Sequence, residues 1–441
     1  MLAIKRIRTF LLGLTLLSSA ACGSRNLASK AEPLAQPLFA SNNPRAIYAA
    51  DPNDSWNRIF GLLFTRTTKI RVARELAEGA PTVTFKDQMG GQILKISRSE
   101  IDRTESGDRA IDPLYPSFFT DAGFRKILTD SAFAQFKQAL TDALNENGSR
   151  PPIARALMQS DAWAAYDEIF RIRAPRVDSD HINEQKTILL GLLQQLIKKT
   201  ALTTEEIKSL RNNYSDTVST RGLPDLFSEN SGWLEIELLE WRIHDRESKF
   251  RRVARVFVKP RTIPADSVAF VESLKDQQHL ERVEAVGLLV QNLLINDHGE
   301  MVLSPLISEI QFRFFQKDTT PKAVSAQVSQ YELSRKLLLT DPRSGGLVAL
   351  DHNSPAYLAQ AGNDYSFMSL IEGVNAPVMV PLHRRCSQCH GESLTTIMTY
   401  SVHDIPPIPR VKVLKPSEGT RASYVIGEKQ KREDFRSLRQ D

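Results

Sequence analysis

Apolar positions recur at helical spacing through the first half of the chain and alternate at strand spacing further on. Trp56, Ile59, Phe60 and Phe64 follow the capping pair Asp54-Ser55 and predict a helix. The segment Thr82 to Ile96 alternates around Gly90-Gly91 and predicts a hairpin. Ile127, Leu128, Phe133, Phe136, Leu140 and Leu144 share one side of a helix predicted over 124–144. Pro151-Pro152 opens the next helix, with Ala156, Leu157, Trp163, Tyr166, Ile169 and Phe170 on it. An aromatic stripe such as Trp163/Tyr166/Phe170 at this spacing is expected in a core rather than in a ligand wall. Ile188, Leu189, Leu192, Leu193 and Leu196 predict a helix over 182–199, and Thr203 with Glu206 three positions on forms a capping box for a short one.

The rhythm changes near Gly222. Val253 to Val258 is β-rich and ends at Pro260. Val283 to Ile295 and Met301 to Phe315 predict two long strands joined by the turn Asn296-Asp297-His298-Gly299. Ile310, Phe312 and Phe314 alternate with Gln311 and Arg313, which predicts one buried and one wet face. Leu347 to Leu350 adds a strand after the turn Arg343 to Gly346. These patterns predict an α+β chain of several domains: an α-helical domain over 51–220, an antiparallel β-rich domain over 221–350 and an irregular segment over 351–441. His298 in its turn and His244 among charged neighbours are expected to be solvated rather than ligands.

The first residues carry a different pattern. Lys5, Arg6 and Arg8 precede the apolar run Phe10 to Leu17, and Ser18-Ser19-Ala20-Ala21 leads to Cys22. A basic start, a short apolar run and small residues describe a secretory signal over 1–21, too short to span a membrane. The small residues before Cys22 resemble the lipobox of bacterial lipoproteins, whose cysteine is acylated and becomes the mature N-terminus. Ser19 departs from the bulky aliphatic residue usual there. That resemblance implies a lipid anchor at the periplasmic face of a bacterial membrane, with the outer membrane as default because Gly23 is no retention aspartate. Residues 22–50, rich in Ser, Ala, Asn and Pro, are expected to form a flexible tether. Loss of the signal cations Lys5, Arg6 and Arg8 lowers the formal charge from +5 to +2, a near-neutral balance that gives no argument for nucleic acid.

The chain holds three cysteines, and two of them fall in Arg385-Cys386-Ser387-Gln388-Cys389-His390-Gly391. Cys-x-x-Cys-His resembles the haem-attachment motif of c-type cytochromes. The resemblance implies thioether bonds from Cys386 and Cys389 to one haem c, and His390 as an axial iron ligand. Three other readings stay open: a Cys386–Cys389 disulfide in an oxidising compartment, a thioredoxin-like redox pair, and a zinc site completed by His390 and either His383 or His403. Against the redox pair, nothing before the motif reads as the strand that leads into a βαβ unit, and against zinc, no second Cys-x-x-Cys or His-x-x-x-His closes the set.

Small c-type cytochromes place a sixth-ligand methionine several tens of residues downstream. Here Met398 and His403 are the downstream candidates, eight and thirteen residues past His390, with Met368, Met379 and His383 upstream. Met398 ranks first, His403 second and an open position third. Arg384 and Arg385 are candidates to clamp haem propionates, against a plain solvated basic patch. The tail from Ala422 to Gln440 resembles the C-terminal helix of small cytochromes, and equally suits a basic amphipathic end. The expected protein is an exported monohaem lipoprotein that passes electrons to a redox protein or complex. A five-coordinate, peroxidase-like haem enzyme is the alternative, and a colourless lipoprotein with a disulfide or zinc site is the third.

Overall fold

The computed structural model describes residues 47–68, 82–86, 93–97, 107–110, 127–128, 130–172, 179–238, 251–274, 282–315, 326–350, 355–357, 379–381, 411–413 and 420–439. The expected signal peptide, the lipobox and most of the tether lie outside these residues.

The fold is α+β. Helix α1 spans Ser55–Phe64, where Asp54 Oδ1 accepts from the Trp56 amide at 3.0 Å as expected of its cap. Strands β1 (Thr65–Thr68) and β4 (Gly107–Ala110) pair antiparallel, as do β2 (Thr82–Lys86) and β3 (Ile93–Ser97), the predicted hairpin. Helices α2 (Asp130–Asn145), α3 (Pro152–Arg171) and α4 (Ser179–Thr200) follow, then α5 (Thr204–Ser209) and α6 (Asn213–Arg221). Thr203 and Glu206 make the capping box read from the sequence: Thr203 Oγ1 accepts from the Glu206 amide at 3.1 Å, and the Glu206 carboxylate accepts from the Thr203 amide at 2.8 Å.

A single sheet takes over beyond Gly222. Its strands are β5 (Leu234–Leu238), β6 (Arg252–Pro260), β7 (Val283–Ile295), β8 (Met301–Phe315), β9 (Ala326–Leu333), β10 (Leu347–Leu350) and β13 (Val411–Val413), all antiparallel, in the order β10-β9-β8-β7-β6-β5-β13. Helix α7 (Ser267–Ser273) falls between β6 and β7, and α8 (Arg335–Thr340) between β9 and β10. The β7–β8 hairpin has the predicted bounds. Asn296 Oδ1 closes its turn by accepting from the Glu300 amide at 2.7 Å, and Gly299 supplies the left-handed residue at φ 76°. Strands β11 (Pro355–Tyr357) and β12 (Met379–Pro381) form a separate antiparallel pair. Helices α9 (Thr420–Gln430) and α10 (Glu433–Arg439) end the described chain.

One apolar cluster joins both predicted regions. Phe136, Leu157, Trp163, Leu193 and Tyr214 from the helices share it with Phe257, Leu289, Ile310, Phe312 and Leu347 from the sheet, and with Val425, Phe435 and Leu438 near the C-terminus. Trp163 and Tyr166 are core residues, as their spacing implied. A smaller cluster on the sheet's other face packs Ile236, Val256, Val258 and Val286 against Phe270, Val271 and Leu274 around α7. The sheet is therefore covered on both faces, and the near-continuous burial along β7 follows from that.

Helix α3 is the axis of the assembly. Fourteen of its twenty residues are buried, including Gln159, Asp161, Asp167 and Glu168, so the helix is enclosed rather than amphipathic. Several of its polar groups are used. Gln159 Nε2 donates to Ile295 O at 2.7 Å and its Oε1 accepts from the Ile295 amide at 2.8 Å, extending the end of β7 with a side chain. Asn213 does the same for Ile307, next to the register shifts between β7 and β8. Each amide satisfies a buried peptide that the ladder leaves open.

The alternation in β8 corrects one expectation. Ile310 and Phe312 face the helices, but Gln311 and Arg313 on the other face are also buried, at 3% and 6% exposure. Sequence alternation revealed the pleat and could not reveal that the polar side is covered.

Candidate functional site

The residues expected to carry chemistry, Cys22, Arg384, Arg385, Cys386, Cys389, His390, Met398 and His403, lie outside the described residues, as do Met368, His383 and His244. What the structure supplies is the frame on either side of them. The chain leaves the large sheet at β10, on one edge, and returns at β13, on the opposite edge, where Val411 and Val413 face Leu238 and Ile236 of β5. Between β10 and β13 in sequence, the β11–β12 pair brings residues 355–357 beside 379–381. Cys386 follows the end of β12 at Pro381 by five positions. His298, expected to be solvated, is exposed in the β7–β8 turn.

The described residues also hold three polar constellations that the sequence did not announce. The first ties the start of the described chain to the core. Tyr48 Oη donates to Asp161 Oδ2, and Arg335 holds the same carboxylate through Nη2 at 2.8 Å and Nε at 3.1 and 3.2 Å. All three side chains are buried. Desolvation pushes the Asp161 carboxyl up, and the opposing pull of Arg335 and the Tyr48 hydrogen bond does not cancel it. Tyr48 is pushed well up as well, by burial first and then by the neighbouring carboxylate.

The second lies where the last two helices meet α3. Lys429 Nζ donates to Asp167 Oδ2 at 2.7 Å and to Asp434 Oδ1 at 3.1 Å. Arg251, just before β6, lies 3.4 Å from Asp167, and Arg171 donates to Asp434 Oδ2 at 2.8 Å. Burial lowers the Lys429 ammonium despite its two carboxylates. Burial alone would raise Asp434, but Lys429, Arg171 and Arg432 outweigh it and hold the carboxyl below its ordinary range.

The third is the covered polar face of the sheet. Glu309 of β8 sits directly opposite Glu332 of β9, and Gln311 opposite Gln330. The Gln330 amide donates to both carboxylates, at 3.2 Å to Glu309 and 2.7 Å to Glu332, and Gln311 donates to Glu309 at 2.8 Å. Like charges in register disfavour pairing, and the two glutamines offset this by placing donors between them.

A cleft of about 260 Å3 opens beside the α2–α3 turn, with Trp56 and Met158 at its wall and Glu146, Arg150, Arg155 and Lys199 around it. Its cations are matched internally. Arg150 Nη2 reaches Asp54 and Glu146 at 2.8 Å each, Arg155 reaches Glu206 and the Ala201 carbonyl, and Lys199 donates to the carbonyls of Ala143, Leu144 and Glu146 at the end of α2. This is a clamp on helix ends rather than an open anion site.

Among the described residues, no group of three His, Cys, Asp or Glu side chains is placed to hold a metal ion, and no helix is long and apolar enough to cross a membrane. Comparison of the chain with family models, with curated proteins and with solved structures returns no match.

Proposed function

We propose that the chain is an exported lipoprotein carrying one covalent haem c and that its activity is electron transfer. The observation that carries this reading is the pentapeptide Cys386-Ser387-Gln388-Cys389-His390, which takes two of only three cysteines and leaves Cys22 for a lipid anchor. The thiols of Cys386 and Cys389 hold the haem, His390 ligates its iron, Met398 or His403 completes the coordination, and Arg384 and Arg385 pair with the propionates. The haem supplies a one-electron couple whose potential follows from ligand identity, burial and hydrogen bonding. The large folded portion presents the haem-bearing stretch to a redox partner at the membrane surface. A β-sheet that holds this stretch at both edges suits a carrier, because electron transfer asks only that the haem edge keep a fixed position near the surface.

The test is expression of the full chain in a bacterium competent for cytochrome c maturation, followed by haem staining on a denaturing gel and by oxidised and reduced spectra. A stained band that disappears in Cys386→Ser/Cys389→Ser supports the reading. A low-spin spectrum supports electron transfer, whereas a high-spin, five-coordinate spectrum moves the assignment to peroxide or small-ligand chemistry. A fully matured but colourless protein overturns it in favour of a disulfide or zinc site.

A further inference from the structure

The two last helices differ from the rest of the fold in how they are held. Of residues 420–439, the buried apolar side chains are Val425, Phe435 and Leu438. α3, in contrast, buries Leu157, Met158, Trp163, Tyr166 and Ile169 together with several alanines. Ala422 and Ile426 add partly buried contacts to the same core, and ionic and polar bonds accompany them. Lys429, fully buried, bonds Asp167 of α3 and Asp434 of α10, Arg171 of α3 bonds Asp434, and Gln194 of α4 donates to Leu438 O at 2.9 Å. The second oxygen of Asp167 accepts no hydrogen bond among the described residues.

Such a joint is specific without being strong. A buried ion pair gives back in Coulomb attraction roughly what its desolvation costs, so it fixes where a helix docks more than how tightly. The docking strength then rests on three buried apolar side chains and the partly buried Ala422 and Ile426, set against the entropy of ordering two helices. Among the described residues neither helix forms part of a sheet ladder, so both can leave without breaking one. Regions with little apolar burial open locally below the free energy of global unfolding.

We infer that α9 and α10 form a detachable clasp: they undock from α3 and β6 as one unit while the sheet and the other helices stay folded, and the Lys429 bridge to Asp167 and Asp434 is the latch. The surface they leave is their own docking site on β6 and α3, marked on α3 by Asp167 and by Trp163, whose ring lies 6.0 Å from that of Phe435. Undocking frees the polypeptide that follows β13, while the β13–β5 pairing still ties it to the sheet. The inference does not depend on the nature of the cofactor.

Native-state hydrogen exchange on the full-length protein tests it. Amides of α9 and α10 are expected to exchange about 100-fold faster than those of α3, β7 and β8, through an opening with little denaturant dependence. Lys429→Met, which keeps the apolar stem and removes the charge, is expected to speed α9–α10 exchange about tenfold or more and leave β7–β8 exchange unaltered. If Lys429→Met does not fold, Gln194→Ala provides the same comparison at the other end of the clasp. Exchange of α9 and α10 only at the rate of α3 and the central strands in the wild type would overturn the inference. So would a variant that alters all these elements alike.

Discussion

Lys429 and Asp167 are 262 positions apart in sequence and 2.7 Å apart in space, and neither side chain is exposed. The contact joins the last helical pair to the central helix. Its acid dependence follows from Asp434, whose carboxyl is held below its ordinary value near 3.8 by Lys429, Arg171 and Arg432 against the cost of burial. A depressed carboxylate contributes stability that is fully present above its unfolded pKa and is lost as pH falls through the folded one. α9–α10 exchange is therefore expected to rise as pH drops below about 4. Asp434→Asn is expected to flatten that rise, as read by exchange across a pH series.

Asp161 has the opposite sign. Its folded pKa is raised, so its ionisation weighs against the folded state as pH rises through that value. Arg335→Met removes the partner and leaves a buried carboxylate, and is expected to cost about 3–5 kcal/mol. The double variant Arg335→Met/Asp161→Leu should recover most of that loss. Chemical denaturation of the two variants and the wild type checks this, and a double variant no better than the single would count against the assignment.

The turn before β10 depends on two glycines. Gly345 has φ 73°, and a Cβ there would lie 2.2 Å from Thr217 Oγ1 and 2.3 Å from Asn213 O. Gly345→Ala is expected to lower stability by more than about 1 kcal/mol, since strain and overlap add. It should also disturb the Asn213 bridge to Ile307, which thermal unfolding and amide shifts at Ile307 would report. A neutral variant would mean that the turn can move away from α6.

On the haem reading, Met398→Ala is expected to abolish a sulfur–iron charge-transfer band and lower the reduction potential, while His403→Ala leaves both in place. The reverse pattern would make His403 the ligand. A spectrum unchanged in both variants would exclude the two downstream candidates.

Much of the fold was legible because its signals are local. The capping residues Asp54 and Thr203, the bounds of the β7–β8 hairpin and the Pro151-Pro152 start of α3 all rest on chemistry within a few residues. The joining of helices and sheet around one core was not, because it depends on α3 being enclosed on all sides. Nothing near Asp161 and Asp167 in the sequence announces Arg335, Lys429 and Arg251, which are brought to them from far along the chain. The same holds for Gln311 and Arg313, whose alternation gives the side they point to and not what lies over it. For the motif, sequence supplied the expectation at Cys386, Cys389 and His390, and the structure supplied the two strands that bracket them in the chain.

The seven-stranded sheet also acts as a spacer of fixed width. With neighbouring strands about 4.8 Å apart, its outer strands β10 and β13 are separated by roughly 29 Å across the hydrogen-bonding direction. The anchor points of the stretch from residue 351 to 410 are thus set by strand count rather than by its own length. The two anchoring strands keep that separation whatever number of residues joins them.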